Sequence, residues 1–95
     1  FEKPVEMFAD PGDVLIAISS SGKSDNILNG VKAAKKKGLT AITMSGFKPG
    51  NPLRSLGDVN FYVPAPTGAY GFVEIAHLTL CHCIIDAIID RNLIK

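Results

Sequence analysis

The sequence predicts an α/β fold, a three-layer sandwich in which helices cover both faces of a parallel sheet. Short apolar runs alternate with helical patterns in the order strand, helix, strand, loop, strand, helix. Right-handed crossovers between parallel strands produce this order. The first run, residues 14–18, is apolar without alternation, as in strands buried on both faces of a parallel sheet. A chain of 95 residues has room for one domain.

The first predicted strand, residues 14–18, is followed by an amphipathic helix. Ser24 or Asp25 is a suitable N-cap for this helix, and Gly38 is a suitable residue just beyond its end. Its apolar positions recur at helical spacing and fall on one face, which we expect to contact the sheet: Ile27, Leu28, Val31 and Ala34.

Glycine and proline residues mark the ends of the remaining predicted elements. Residues 39–44 are rich in Thr, Ile and Ala and predict a second strand. Residues 46–57 predict a loop, with one helical turn around 53–56. A third strand is predicted at residues 60–63, where prolines end it, and a long helix at 70–90.

Composition excludes several classes of protein. The hydrophobic fraction of 46% and the net charge of +1 are typical of a globular protein and not of a disordered one. The same net charge favours neither nucleic acid nor an anionic membrane as a partner. The one basic run, residues 35–37, complements the negative end of a helix dipole. The apolar excess predicts that another segment or a partner subunit covers part of the chain.

Two cysteines lie in the long helix, at Cys81 and Cys83. Positions two apart on a helix point about 200° apart, so these thiols cannot pair, and we expect a reducing, cytoplasmic location. The segment 72–89 is nearly long enough to span a bilayer. Its polar residues favour a buried helix instead: Glu74, His77, His82 and Asp86.

A serine-rich segment, residues 19–24, follows the first strand directly; we call it the Ser loop. Ligands of parallel α/β folds bind at the carboxyl ends of strands, where helix N-termini attract anions. Four hydroxyls in six residues and the close backbone approach that Gly22 permits predict a phosphate site. A Walker nucleotide site is excluded because Ala17 stands where its first glycine is required. The structural alternative is that the serines only cap the helix and fill a turn.

The segments GDVLIAISSSGKSDNI (residues 12–27) and AITMSG (residues 41–46) resemble SIS (sugar isomerase) domains, in particular the phosphoheptose isomerase group and its replication-associated relatives. The resemblance implies a flavodoxin-like fold in which residues 1–95 form the C-terminal part of a single SIS domain. It also implies a homotetramer, with the phosphate held by four serines: Ser19, Ser20, Ser21 and Ser24.

The long helix carries two further candidate residues, Glu74 and His82, which lie eight positions and about 12 Å apart along the axis. Both side chains could reach an ion or a short polar substrate between them. His77 and Cys81, four apart, would also make a possible metal pair. From composition alone, a histidine on an apolar helix is more often a hydrogen-bonded core residue.

Phosphoheptose isomerases carry the pattern Gln-Glu-x-His-x-x-x-x-His on this helix, and EIAHLTLCH (residues 74–82) is similar to it. The resemblance implies that His82 transfers a proton and that Glu74 and His82 bind zinc, the implied cofactor. Glu74 replaces the glutamine of the pattern. Gly71 and Phe72 stand where acidic and basic residues often precede it in the family.

The function implied by this resemblance is aldose–ketose isomerisation of a phosphosugar, as in sedoheptulose 7-phosphate isomerase. The alternative is a non-catalytic SIS module that binds a phosphosugar or bridges proteins. A third reading, a purely structural oligomerisation domain, disagrees with the Ser loop. Neither direct nucleic-acid binding nor a membrane is expected.

Overall fold

The computed structural model describes residues 1–91. It contains a sheet of three parallel strands in the order β1 (Val14–Ile18), β2 (Thr40–Phe47) and β3 (Val59–Pro64). The predicted parallel sheet is therefore confirmed, although β2 continues three residues beyond its predicted end. It continues because residues 45–47 pair with residues 62–64 of β3.

Helices connect the strands: α1 (Glu2–Phe8) precedes β1, α2 (Asp25–Lys36) joins β1 to β2, and α3 (Tyr70–Asp90) follows β3. A 3-10 helix (Pro52–Ser55) lies between β2 and β3. The bounds of α3 are those predicted from the sequence. The helical turn expected around residues 53–56 is present one residue earlier.

Helix α1 has no counterpart among the predicted elements. It has only seven residues, too few for a helical pattern to stand out in the sequence, and none of them is buried within the described chain. It packs against α2, where a Cβ atom at Gly30 would lie 3.3 Å from Phe1, and Lys37 at the α2 C-terminus donates to the carbonyl oxygen of Glu6. Tertiary contacts therefore place this helix.

The helices lie on both faces of the sheet. Ala41 of β2 packs with Val31 of α2 and with Leu53 of the 3-10 helix in one core cluster. Met44, three residues along the same strand, contacts the Cys81 thiol of α3 across 3.9 Å between sulfurs. Residues an odd number apart on a strand point to opposite faces. α2 and the 3-10 helix thus cover one face and α3 the other, which confirms the three-layer arrangement.

The expectation that β1 is buried on both faces is wrong for this chain. β1 is an edge strand, and Ile16 and Ile18 are each 42% exposed. α3 packs over β2 and β3, so it leaves this face of β1 uncovered. Only Ala17, on the α2 side, is buried among the residues of β1.

The expectation that α3 is a buried helix is also wrong within residues 1–91, where only Val73 and His77 of this helix are buried. The exposed apolar positions, together with His82, lie about 80–160° around the helix from His77. We call them the outer face of α3: Ile75, Leu78, His82, Ile85 and Ile89. By length and composition, α3 is the one helix in the described part of the chain that could cross a membrane, a test that core helices of soluble proteins also pass.

Candidate functional site

The Ser loop lies at the carboxyl end of β1, directly before α2, as predicted. The backbone N–H of Ser19 donates to the carbonyl oxygen of Met44 at 3.0 Å, which holds the start of the loop beside β2. Gly22 is buried and has a φ of +67°, in the left-handed region that favours glycine. The loop therefore turns sharply and presents its backbone and hydroxyls at the edge where α/β folds bind ligands.

Ser19 forms the buried base of this loop, and the exposed Ser24 lies beside it. The Ser19 side chain, 8% exposed, accepts a hydrogen bond from the N–H of Gly22 at 3.1 Å. Its hydroxyl also lies 3.3 Å from the hydroxyl of Ser24. Ser24 is the N-cap residue of α2 by position, yet its side chain makes no capping hydrogen bond. Helix capping therefore does not account for Ser24, although Ser19 does stabilise the turn.

The outer serines are more accessible. Ser20 and Ser21 are half-buried, and Ser21 accepts a hydrogen bond from the N–H of Lys23 at 3.3 Å. The loop thus offers hydroxyls on its open side, next to the N-terminus of α2, where the helix dipole favours an anion.

A cavity of about 210 Å³ opens beside the Ser loop, at the ends of β2 and β3. Two of its lining side chains are cationic and three carry hydroxyls, a chemistry that favours a small anion with polar substituents. Two lining residues belong to the Ser loop, and the fold brings the others to it from the end of β2 and from the segment that leads into α3: Ser21, Lys23, Phe47, Lys48, Thr67 and Tyr70.

Phe47 forms the apolar wall of this cavity and has a φ of +58°, which is uncommon for a residue other than glycine. Its ring meets that of Tyr70 edge to face, with centroids 5.0 Å apart, and its carbonyl oxygen accepts a hydrogen bond from the Tyr62 hydroxyl. Contacts on both sides thus hold the strained backbone in place. Strain of this kind is concentrated at ligand-binding sites.

Glu74 and His82 do not line the cavity. His82 is exposed and lies about 140° around α3 from His77, which faces the sheet. Glu74 is exposed on the flank of the helix, one turn from its start. The structure therefore places both on surface that the rest of this chain leaves open, and their predicted roles stay predictions.

His77, which the sequence suggested only as a possible metal partner of Cys81, is the buried histidine of α3, at 2% exposure. Its Nε2 atom lies 2.9 Å from the carbonyl oxygen of Ser45. The hydrogen-bonded core reading thus applies to His77 and not to His82. His77 and Cys81 are not a metal pair, because the ring is engaged by β2 and the thiol contacts the sulfur of Met44.

The fit of zinc to Glu74 and His82 depends on further donors. Structural zinc sites use four protein ligands and catalytic sites three. Among residues 1–91, no group of three or more His, Cys, Asp or Glu side chains is placed to hold a metal ion. Glu74 and His82 would therefore be two of the three or four protein ligands that a zinc site requires.

A serine-rich loop at the carboxyl edge of a parallel sheet lies where α/β domains bind their ligands. By sequence and fold, the chain is similar to proteins of the SIS domain family. The family model described as SIS domain matches residues 2–46, and the full fold class is the one predicted.

The similarity to individual proteins extends over nearly the whole chain. Phosphoheptose isomerase of Shewanella sediminis (strain HAW-EB3) is 38% identical over 96 residues, which span 98% of this chain and 47% of that protein. Phosphoheptose isomerase of Shewanella denitrificans is 38% identical over 95 residues, with the same coverage of both chains. The chain thus spans about half the length of the curated relatives it matches.

Two solved structures are also similar to this chain over nearly its whole length. The structure of a phosphoheptose isomerase from Francisella tularensis superposes with a TM-score of 0.77 at 27% identity, over 93% of this chain and 46% of that one. The phosphoheptose isomerase from Neisseria gonorrhoeae superposes with a TM-score of 0.78 at 32% identity, over 93% of this chain and 49% of that one.

Proposed function

We propose that this chain is the C-terminal, phosphate-binding part of a phosphosugar aldose–ketose isomerase that resembles sedoheptulose 7-phosphate isomerase. The observation that carries the proposal is the Ser loop, with its cationic cavity, at the carboxyl edge of a parallel sheet. The similarity to proteins named phosphoheptose isomerase supports it.

The phosphate would bind at the open side of the Ser loop. Hydroxyls are donors that can surround phosphate oxygens, and the start of α2 adds the positive end of a helix dipole. Lys23 and Lys48 on the cavity wall would offset the negative charge of a dianionic phosphate. The proposed contacts are those implied by the family: Ser19, Ser20, Ser21 and Ser24.

The proposed reaction moves a proton between adjacent carbons of the sugar. A base removes the proton from the carbon next to the carbonyl, an enediol forms, and the proton returns to the former carbonyl carbon. We propose that His82 takes part in this transfer as an acid–base group. Because His82 lies on the exposed outer face of α3, the reacting carbons would bind where another part of the protein, or a second copy, meets that face.

The outer face of α3 also supports a proposal about how the protein assembles. The outer face of α3 presents Leu78 and Ile85 at 59% and 49% exposure, and α3 itself is apolar along most of its length. A helix that is apolar nearly all round is normally covered on most sides. We propose that a homo-oligomer, a tetramer by family analogy, buries this face in a cytoplasmic enzyme.

The second candidate function is a non-catalytic phosphosugar-binding module. It is favoured by the lining of the cavity, which contains neither His82 nor Glu74, and by Gly71 and Phe72 at positions that are often charged in the family. The Ser loop serves both functions equally.

One experiment separates the two functions. The complete protein is incubated with sedoheptulose 7-phosphate, product formation is followed by NMR, and binding is measured by calorimetry on the same preparation. Binding with turnover supports the isomerase. Binding without turnover supports the module, and the absence of both would contradict a phosphosugar function.

A further inference from the structure

Asn51 lies behind the Ser loop and is one of the few buried polar side chains of the chain, at 4% exposure. Its Nδ2 group donates to three acceptors around the end of β2, at distances of 2.9–3.2 Å: Ser45 Oγ, Gly46 O and Lys48 O. Its Oδ1 atom accepts the N–H of Arg54 at 3.0 Å, which caps the 3-10 helix. Both the Nδ2 and the Oδ1 atom of Asn51 therefore have hydrogen-bond partners within the fold.

The Ser loop rests on this amide. A Cβ atom at Gly22 would lie 1.9 Å from Oδ1 of Asn51, so the backbone of the loop is as close to the amide as glycine permits. The carbonyl oxygen of Gly22 accepts the N–H of Leu53 at 3.1 Å, which fixes the loop to the 3-10 helix that Asn51 caps. The N–H of Gly22, in turn, donates to the hydroxyl of Ser19.

The contacts form one chain from the end of β2 to the phosphate-binding hydroxyls. Asn51 sets the position of the 3-10 helix, that helix and the amide together set Gly22, and Gly22 orients Ser19. From these contacts we infer that Asn51 is a positioning residue of the phosphate site. The inference rests on the proposed function for its ligand, since Asn51 does not line the cavity and acts through the loop.

If Asn51 only stabilised the fold, replacing it would affect phosphosugar binding no more than replacing another hydrogen-bonded asparagine. Asn60 is that second asparagine. Its Oδ1 accepts hydrogen bonds from Gly57 N and Thr43 Oγ1, and its Nδ2 donates to Gly57 O. Asn60 is the second residue of β3, so it lies toward the opposite edge of the sheet from the Ser loop. Replacing it removes a similar number of side-chain hydrogen bonds, at an exposed position, without changing the support of the loop.

The test compares Asn51→Ala and Asn51→Asp with Asn60→Ala and Asn60→Asp in the complete protein. Asn51→Asp keeps the acceptor for Arg54 and places a carboxylate oxygen against the carbonyls of Gly46 and Lys48, where the amide donated. Asn51→Ser is added in case the other two do not fold, because serine is also a good cap. Calorimetry with sedoheptulose 7-phosphate is done below the melting transition of every variant.

We expect the Asn51 variants to bind the phosphosugar about tenfold or more weakly, the loss of roughly one hydrogen bond to a charged group, and the Asn60 variants to bind as the parent does. Equal losses in both series, or none in the Asn51 series, would overturn the inference while leaving phosphosugar binding by the parent intact.

A ligand-free measurement keeps the inference separate from the proposed function. Hydrogen exchange of the Gly22 amide, which donates to Ser19, should accelerate at least tenfold in the Asn51 variants and stay unchanged in the Asn60 variants. If the parent binds no phosphosugar, the proposed function fails and this exchange rate alone decides whether Asn51 holds the loop. Unchanged protection of Gly22 in the Asn51 series would refute the positioning role in either case.

Discussion

The Nε2 atom of His77 lies 2.9 Å from the carbonyl oxygen of Ser45, and this hydrogen bond joins the inner side of α3 to the middle layer of the fold. A carbonyl oxygen only accepts, so Nε2 is the donor in this hydrogen bond. Ser45 is itself fully buried, and its hydroxyl accepts a hydrogen bond from Asn51. One residue of β2 is therefore bonded both to α3 and to the support of the Ser loop.

Replacing His77 by Phe should lower the free energy of unfolding by about 1–3 kcal/mol, because the ring volume is kept while the buried carbonyl of Ser45 loses its donor. Chemical denaturation measures this change. The matched control is Thr79→Ala, which also removes a side-chain hydrogen bond to a backbone carbonyl but at an exposed position, and should change stability by less than about 0.5 kcal/mol. Equal effects would contradict the importance of the buried bond.

The Ser loop is tested by Ser19→Ala and Ser21→Ala. Each should weaken sugar-phosphate binding by about 1–2 kcal/mol per hydrogen bond lost, and more where the bond is to a charged oxygen. Ser19→Ala should also lower stability, because its buried hydroxyl accepts the N–H of Gly22, whereas Ser21→Ala should not. Calorimetry and thermal melts separate the two effects. The control is Ser55→Ala, because Ser55 is an exposed residue of the 3-10 helix. Unchanged binding in both loop variants would show that the loop serves only as a turn.

His82→Gln should lower turnover by about a hundredfold or more, the usual loss for a positioned acid–base group. Phosphosugar binding should change much less, since the phosphate is held elsewhere. The change should leave the packing of residues 1–91 intact, because His82 is exposed there. Cys83→Ser, at the next exposed position of the same helix, controls for local changes. Normal turnover in a folded His82→Gln variant would end the catalytic assignment and favour the binding module.

The outer face of α3 should control assembly. Leu78→Glu and Ile85→Glu would each place a charge in a surface that we propose is buried between copies, and burying an unpaired charge is costly. Sedimentation of these variants at micromolar concentrations should show smaller species than the parent. Met7→Glu makes the same change on the exposed side of α1 and should not alter the mass. A parent that sediments as a monomer would contradict the subunit proposal.

Local signals predicted most of the fold. The bounds of α3 followed from its long apolar run and the flanking turn residues, and the parallel sheet followed from the alternation of elements. The end of β2 was misplaced because Gly46 was taken for a loop residue. In the structure a Cβ at Gly46 would lie 2.7 Å from Val73 and 3.0 Å from the carbonyl oxygen of Ser20, so this glycine permits close packing inside a strand.

Only the part of the candidate site that is contiguous in the sequence could be predicted. The Ser loop is one segment, and its residue types alone indicate an anion site. Lys48 follows β2, Thr67 follows β3 and Tyr70 begins α3, and no spacing in the sequence relates them to Ser21. Asn51 has no signal of its own, because an asparagine before a proline is equally typical of an ordinary turn. The positive φ of Phe47 was likewise invisible before the backbone was known.

The bare edge of β1 has a practical consequence for anyone who produces residues 1–95 alone. Its outer backbone groups lie at the border of the sheet, and one of its faces displays Val14, Ile16 and Ile18 to water. An apolar strand edge of this kind pairs readily with another chain, so the isolated segment should aggregate unless a covering partner is co-expressed. Measuring the solubility of the isolated segment therefore tests whether the outer edge of β1 is protected from pairing with another chain.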